Sequence, residues 1–211
     1  MSAAAQPAAP PAPPPAAPAA EPAEDPATHA RVLALLTARA PGRFTTLSHA
    51  PTRTSEESAR VRGVALATGA KAMLLKAGRP LAHGSPFVLA VLSAARRADL
   101  RALRGALGAK ALSLASVEDV WRLTGCVPGA VPPFGSLFPG VATVADASIV
   151  ALPAINFNSA LRGESVMGLA VADYLAIEAP TVLNFSAPLE AAIEAPPADA
   201  PPADAPPAAS A

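Results

Sequence analysis

The spacing of apolar and polar residues divides the middle of the chain into short helices and strands. Residues 29–40 place apolar side chains at helical spacing and stop at Pro41 and Gly42, which break helices. Further helices are predicted at 54–67, 97–107, 117–124 and 172–177. Apolar or β-prone runs predict strands at 43–48, 71–76, 86–93, 110–114, 154–158, 166–171 and 181–185, and short apolar runs at 141–145 and 149–152 flank Asp146.

Two capping signatures support the predicted helix starts, namely Thr54 with Glu57 and Ser116 with Asp119. The second and third predicted strands are separated by a turn rich in glycine and proline, which predicts a hairpin with a long loop. Strands and helices alternate irregularly, so a regular βαβ array does not fit. We predict a single α/β domain in which helices surround a mixed sheet.

An uncharged loop at 125–135, with the sequence GCVPGAVPPFG, follows the helix that contains Trp121. Its three prolines fix φ, and its three glycines allow close approach to a ligand. Such a segment cannot form a regular helix or a central strand. We therefore predict that it forms one wall of a small-molecule pocket.

Both ends of the chain differ in composition from its middle. Residues 1–27 and 187–211 are almost entirely alanine, proline and acidic residues, with too little apolar surface to offset the entropy lost on folding. We predict two disordered tails that favour polyproline II and one folded domain at 28–186. The first tail lacks the basic start and apolar segment of a signal peptide, and no run approaches the ~18 apolar residues that span a bilayer. A cytoplasmic location without membrane association is therefore expected.

The net charge of zero hides an uneven distribution of charged residues. All 16 basic residues lie within 28–186, together with 9 acidic residues, so this part carries a net charge of +7. Such a domain suits a polyanionic partner, although charge that only maintains solubility is the alternative. Arg97, Arg101 and Arg104 recur at i, i+4 and i+7 and would line one helical face, either as a polyanion-binding surface or as an ordinary solvated face.

The chain contains few groups that could perform chemistry. It has no GxSxG elbow, Walker loop or GxGxxG motif, and His29, His49 and His83 are too far apart for metal spacing. Cys126, the single cysteine, excludes a disulfide framework and any zinc site that needs several cysteines. It could act as a nucleophile, but no neighbouring residue would activate its thiol, and an inert cysteine is the favoured alternative.

Lys71 stands at the start of an otherwise apolar predicted strand with the sequence AKAMLL at 70–75. An ammonium beside an apolar sheet is costly to desolvate unless it faces a cavity or an anion. In a pocket it could stabilise negative charge that develops on a carbonyl oxygen. The alternative is a lysine at a strand end whose ammonium simply reaches water.

Three segments carry a family resemblance, namely AKAMLL at 70–75, TGCVPGAVPPFG at 124–135 and INFNSALRGES at 155–165. Together they resemble the YbaK/ProX family of aminoacyl-tRNA deacylases, which are related to the editing domain inserted in bacterial prolyl-tRNA synthetases. The resemblance spans about residues 30–185 and leaves out both tails. It implies a barrel-like mixed sheet surrounded by helices. It also implies hydrolysis, with no metal or other cofactor, of the ester that links a wrong amino acid to tRNA.

The resemblance also implies roles for particular residues. Lys71 matches the family's essential strand lysine, and GAVPP at 129–133 matches the loop that cradles the aminoacyl group. Asn158 takes a position where relatives carry a small polar residue that faces the pocket, and His49 lies near a segment that lines it. The implied substrate-binding residues are His49, Gly125, Gly129, Pro133, Phe134, Gly135, Asn158 and Ser159. Ala160 replaces the glycine of the FNAG segment found in many relatives, which bears on the substrate range more than on the reaction.

These features predict a trans-editing hydrolase that deacylates mischarged tRNA carrying a small amino acid. Mischarged tRNA is the expected partner, an aminoacyl-tRNA synthetase is a further candidate, and a monomer is expected. A non-catalytic module that binds aminoacyl-tRNA or a synthetase is the alternative from another class. A hydrolase of free amino-acid esters or small amides is the third, and it would act without tRNA and with little dependence on salt.

Overall fold

The computed structural model of the chain describes residues 22–189. The helices are α1 (Pro26–Arg39), α2 (Ser55–Arg62), α3 (Leu100–Ala106), α4 (Val117–Thr124), α5 (Ala147–Val150) and α6 (Val171–Glu178). The strands are β1 (Thr45–Ser48), β2 (Ala70–Ala77), β3 (Phe87–Ser93), β4 (Arg96–Ala98), β5 (Leu112–Leu114), β6 (Ala142–Asp146), β7 (Ala154–Asn158), β8 (Glu164–Ala170), β9 (Thr181–Leu183) and β10 (Ser186–Pro188). The tails predicted at 1–27 and 187–211 lie mostly outside the described residues.

The strands form open sheets flanked by helices in one mixed α/β domain. The largest sheet has the order β5-β2-β3-β6-β9; β2 is antiparallel to both of its neighbours, whereas β3, β6 and β9 are parallel. A second, antiparallel sheet has the order β1-β8-β7, and β4 pairs with β10. A bridge between Gly69 and Asn156 connects the two larger sheets. Within residues 22–189 the sheets do not close, so the barrel-like part of the expectation is corrected to separate sheets.

The predicted hairpin and both capping signatures are confirmed. β2 and β3 pair antiparallel through the long connecting loop. Thr54 accepts a hydrogen bond from the Glu57 amide at 3.1 Å, and the Glu57 carboxylate accepts one from the Thr54 amide at 3.2 Å. Ser116 accepts a bond from the Asp119 amide at the start of α4. Local side-chain chemistry therefore sets these helix starts, as the sequence pattern indicated.

The centre of the core is β3, whose seven residues are all buried. Alternate side chains of this strand pack into a larger apolar cluster on one face of the sheet and a smaller cluster on the other. Burial on both faces explains why the strand is a continuous apolar run without polar alternation. The same sheet fixes the position of β2, the strand that carries Lys71.

Two helices are shorter than predicted. Helix α2 ends at Arg62 instead of 67 because Gly63, with φ of 66°, caps it by donating its amide to preceding carbonyls. The helix predicted at 97–107 begins at Leu100, because Asp99 is its N-cap and β4 occupies the residues before it. Arg97 therefore lies on a strand, and the prediction of one helical face shared by Arg97, Arg101 and Arg104 is wrong.

The described chain also reaches slightly beyond the predicted domain limits. Helix α1 begins at Pro26, two residues before the predicted domain start at 28, because the Asp25 carboxylate accepts a hydrogen bond from the Ala27 amide and caps the helix. At the other end Ser186–Pro188 forms the unpredicted strand β10 against β4. Neither segment has an apolar periodicity that would have revealed it.

Candidate functional site

A cavity of about 240 Å³ opens between α2, the start of β2 and the loop at 125–135. One face of α2 lines it, because Ser55, Ser58, Ala59 and Arg62 recur at helical spacing toward the cavity. The opposite wall includes the first residues of β2. The loop contributes two residues to the lining, so the prediction that it forms part of a pocket wall agrees with this geometry.

Three of the predicted site residues meet at this cavity, namely Lys71, Gly129 and Asn158. Arg53 and Arg62 also line it, and neither was selected from the sequence. The lining formed by the described residues contains three basic side chains and no carboxylate. The cavity is therefore electropositive and suited to a ligand that carries or develops negative charge.

Lys71 lies near the beginning of β2, and its Nζ donates a hydrogen bond to the Arg96 carbonyl at 2.8 Å. Burial lowers the pKa of the Lys71 ammonium, and the charge of Glu56 opposes this shift in part. Among residues 22–189 no carboxylate lies within ion-pair distance of Nζ. An ammonium has three N–H donors, so a carbonyl that takes one of them leaves donors for a ligand.

The backbone of β2 presents a further polar surface to the cavity. β2 pairs with β3 along its whole length, but β5 covers only its C-terminal end. The Leu74 carbonyl accepts a bond from the Ala115 amide on the β5 side, so even-numbered residues direct their N–H and C=O groups to that side. Ala72 therefore directs its backbone groups to the side that β5 leaves open, where it lines the cavity, whereas Ala70 lies beside the bridge between Gly69 and Asn156.

Asn158 joins three parts of the site. Its Oδ1 accepts a hydrogen bond from an Arg62 Nη, and its Nδ2 donates to the Gly129 carbonyl at 2.9 Å. Gly129 has φ of 88°, a conformation that favours glycine, so the loop can turn here toward the carboxamide. A single side chain on β7 thus fixes the end of α2 and the middle of the loop relative to each other.

Arg62 is held at the cavity by neutral partners. Its Nε donates to Ser165 Oγ at 2.8 Å, and an Nη donates to Asn158 Oδ1. Burial lowers the pKa of the Arg62 guanidinium to about 10, so it remains charged at neutral pH. No carboxylate among the described residues forms an ion pair with it.

His49 does not line the cavity, but it is connected to Arg62 through Ser165. Its Nδ1 lies 2.8 Å from the Ala50 carbonyl, and its Nε2 lies 2.7 Å from Ser165 Oγ. A carbonyl only accepts, so Nδ1 donates to it, which leaves Nε2 as the ring nitrogen that accepts from the Ser165 hydroxyl. The hydroxyl is then free to accept from Arg62, so a continuous chain of hydrogen bonds orients the guanidinium.

The remaining loop residues support the site without lining this cavity. Gly125 is the left-handed C-cap of α4, and the Gly135 amide donates to Thr143 Oγ1 at 3.0 Å. Phe134 is fully buried and touches Phe157 and Tyr174 edge-on, with ring centroids 5.6 Å apart in each pair. Pro133 is buried beside it. These residues anchor the loop in the core, and contact with a substrate stays a prediction for them.

Ser159 and Ala160 are fully buried where β7 ends, and neither lines the cavity. Ser159 contacts His29 Nδ1 through its carbonyl at 2.8 Å and its hydroxyl at 2.9 Å, which fastens α1 to the turn after β7. Ala160 has φ of 72°, a left-handed conformation that favours glycine. Its amide donates to the Ala130 carbonyl, so this turn also holds the loop in place.

The predicted tRNA-binding arginines lie on β4 and α3. Arg97, Arg101 and Arg104 are all exposed, which leaves them accessible to a polyanion. Their neighbour Arg96 carries the carbonyl that holds Lys71, and its side chain donates to Ser186 at 2.6 and 2.9 Å. Arg97 is thus connected to the site through Arg96 on the same strand, whereas Arg101 and Arg104 lie on the helix that follows.

Cys126 is fully buried, and burial raises the pKa of its thiol to about 11. In the described part of the chain, no three His, Cys, Asp or Glu side chains are grouped so that they could hold a metal ion. No helix of residues 22–189 is both long and apolar enough to cross a membrane. The basic groups of the cavity lining are the candidate groups for chemistry.

Comparisons with known proteins agree with this geometry. The family model described as the aminoacyl-tRNA editing domain matches residues 49–176, which include the cavity residues. The Escherichia coli (strain K12) protein named multifunctional Ser/Thr-tRNA deacylase ProXp-y is 39% identical over 160 residues, which are 75% of this chain and 92% of that protein. A second curated protein of this name, from Escherichia coli O157:H7, matches equally well.

Solved structures show the same fold at low sequence identity. The crystal structure of a proposed trans-editing enzyme for prolyl tRNA synthetase superposes with a TM-score of 0.65 at 23% identity and covers 76% of this chain and 98% of that chain. The structure of a hypothetical protein gives the same TM-score at 20% identity and covers 74% of this chain and 99% of that chain. The chain belongs to the family of aminoacyl-tRNA editing domains, as its three sequence segments indicated.

Proposed function

We propose that the chain is a trans-editing deacylase that hydrolyses the ester of mischarged tRNA carrying a small amino acid. The observation that carries this proposal is the cavity that brings Lys71, Gly129 and Asn158 together. Family membership and the 39% identity to a protein named Ser/Thr-tRNA deacylase support it. That name favours seryl and threonyl groups as the first acyl groups to examine.

In the proposed reaction, water attacks the carbonyl carbon of the ester, and the bond to the ribose oxygen breaks. The released hydroxyl of the terminal adenosine takes up a proton, and the amino acid leaves as the carboxylic acid. Lys71 stabilises the negative charge that develops on the carbonyl oxygen. Backbone N–H groups of the cavity, at Ala72 or the loop, hold the aminoacyl group in position for attack.

The size and composition of the cavity favour a small acyl group. Its volume of about 240 Å³ lies below the ~300–1,000 Å³ of typical ligand pockets. Ala59, Ala70, Ala72 and Ala94 form parts of its wall, so a larger side chain would meet the backbone. An added methylene group changes the binding energy only modestly. Steric exclusion of larger side chains would therefore provide most of the selection between amino acids.

A panel of mischarged tRNAs tests the proposed function directly. We expect ester loss to be fastest for tRNA that carries a small residue such as serine, threonine or alanine, and slow for correctly charged tRNA with a large residue. Free amino-acid esters, included as a control, should react much more slowly than the tRNA esters. A chain that binds these tRNAs but deacylates none of them would instead be a binding module.

A further inference from the structure

Arg62 is a partly buried cation without a carboxylate partner among the described residues, and it lines the cavity beside Lys71. Its two hydrogen bonds go to the neutral oxygens of Ser165 and Asn158. A guanidinium has five N–H donors, so these bonds orient its plane and leave donors for a ligand. Partial burial of two unpaired cations in one cavity is costly unless an anion enters with the ligand.

The substrate of the proposed function offers two different negative charges. One is the phosphodiester on the 5′ side of the terminal adenosine, which is charged before the reaction. The other is the carbonyl oxygen of the ester, which becomes charged only as water attacks. The aminoacyl group itself brings no negative charge, so these two anions are the available partners for Arg62 and Lys71, the two partly buried cations; Arg53, the third basic residue of the lining, is exposed.

We propose that Arg62 binds the 5′-phosphate of the terminal nucleoside, while Lys71 acts on the ester. This assignment rests on the proposed function, because it takes the 3′ end of aminoacyl-tRNA as the ligand. A guanidinium is a planar fork that matches a phosphate through two parallel hydrogen bonds, whereas an ammonium is a compact point charge. The chain from His49 through Ser165, together with Asn158, fixes the plane of this fork before the ligand arrives.

The difference between the two cations also appears in their anchors. Arg62 is held on two sides by side chains from two different positions of one sheet, so its orientation is fixed. Lys71 is held by one carbonyl at the end of a flexible four-carbon chain, so it can shift as charge develops. A rigid fork suits a ground-state anion, and a mobile ammonium suits a transient one.

The test uses two non-hydrolysable ligands, 3′-seryl-amido-3′-deoxyadenosine with and without a 5′-phosphate. Their affinities are measured by calorimetry for the full chain and for Arg62→Gln, Arg62→Lys and the matched control Arg60→Gln. Arg60 lies on the same helix but is exposed and does not line the cavity. We expect the natural chain to bind the phosphorylated ligand roughly 10- to 100-fold more tightly, because one charge-assisted pair contributes about that factor.

Arg62→Gln should remove this preference, Arg62→Lys should keep part of it, and Arg60→Gln should keep all of it. A thermal melt of each variant shows whether it is folded. Equal affinity of the natural chain for both ligands would overturn the assignment, as would a preference that survives in Arg62→Gln or the failure of both ligands to bind.

Deacylation of mischarged tRNA, measured in parallel, separates the two proposals. A phosphate preference without deacylation would contradict the proposed function but support the anion site. Deacylation without a phosphate preference would remove only the role of Arg62. Loss of the preference in Lys71→Met but not in Arg62→Gln would reverse the assignment and therefore contradict it.

Discussion

Lys71 and Lys76 lie on the same strand, five residues apart, and differ in what their ammonium groups contact. Lys76 Nζ lies 2.8 Å from the Asp119 carboxylate, so its positive charge is paired in a salt bridge at the surface. Lys71 Nζ donates to a backbone carbonyl at 2.8 Å and lines a cavity whose described walls hold no carboxylate. The environment, and not the residue type, makes Lys71 the candidate catalytic group.

Cys126 provides a first prediction at the residue scale. Burial raises the pKa of its thiol to about 11, so at pH 8 only roughly 0.1% is thiolate, the reactive form. We expect the folded chain to react with Ellman's reagent at least about a hundredfold more slowly than the chain in denaturant. Cys126→Ala should deacylate at close to the normal rate. Fast labelling of the folded chain, or a large loss of activity, would show that the thiol has a role.

The sequence indicated Lys71 and missed Arg62, and the difference has a physical cause. An isolated lysine in an apolar strand is anomalous within six residues of sequence, so a local pattern reveals it. Arg62 is one of two basic residues on a polar helix, and it acquires its position from Asn158 and Ser165, which are 96 and 103 residues away. Only the paired sheets bring these residues together. The contact between His49 and Ser165 could not be predicted from the sequence for the same reason.

At the scale of elements, the end of α6 offers a matched pair of substitutions. Ala179 caps the helix with φ of 47° and is exposed, so its Cβ is strained in the left-handed conformation. Ala179→Gly should raise the free energy of unfolding by about 0.5–1 kcal/mol. Ala176→Gly, at an exposed position inside the same helix, should lower it by about 1 kcal/mol. Urea unfolding measures both, and a loss of stability in Ala179→Gly would contradict the capping geometry.

Asp119 connects α4 to β2 and gives a prediction with a pH dependence. Hydrogen bonds from Arg122 and Lys76 lower the pKa of its carboxyl from 3.8 to about 2. Because the folded-state pKa is depressed, the carboxylate stabilises the fold above about pH 4, and this contribution is lost as the pH falls toward 2. Asp119→Asn should lower the free energy of unfolding at pH 7 by about 0.5 kcal/mol, since both cations remain half exposed to water.

Urea titrations at pH 7 and pH 2 test this prediction, with Glu118→Gln as the control at the neighbouring exposed position. The stabilities of Asp119→Asn and the natural chain should converge at the lower pH. A difference that persists unchanged at pH 2 would indicate a cause other than the ion pairs.

Elements with strong local signals were predicted well, and those defined by distant partners were not. The capping box of α2, the Ser116 cap of α4 and the buried strand β3 follow from the residues themselves. Arg97 was predicted to be helical because it lies at i, i+4 spacing from Arg101. In the structure it pairs with Ala187 of β10 and belongs to strand β4. The division into separate sheets likewise depends on partners such as Gly69 and Asn156, which no local pattern identifies.

At the scale of the whole molecule, the uneven charge predicts how tRNA binds. The basic excess within 28–186 includes the exposed Arg101 and Arg104, which would contact phosphates outside the cavity. We expect kcat/KM for mischarged tRNA to fall steeply as salt rises. In a plot of log kcat/KM against log salt concentration, replacing both arginines with alanine should make the negative slope shallower by about 0.7–0.9 for each lost phosphate contact. An unchanged slope would place the tRNA contacts elsewhere on the surface.

Lys71 is the residue on which the proposed reaction depends, and one comparison tests it most directly. Seryl- and threonyl-esters of mischarged tRNA are incubated with excess natural chain, Lys71→Ala and the control Lys76→Ala, and single-turnover ester loss is measured. Thermal melts confirm that each variant is folded. Removing one group that stabilises a developing oxyanion typically costs about 10²–10³ in rate, so Lys71→Ala should be slower by about that factor, while Lys76→Ala stays near the natural rate. Deacylation by Lys71→Ala at the natural rate would contradict the proposed catalytic role.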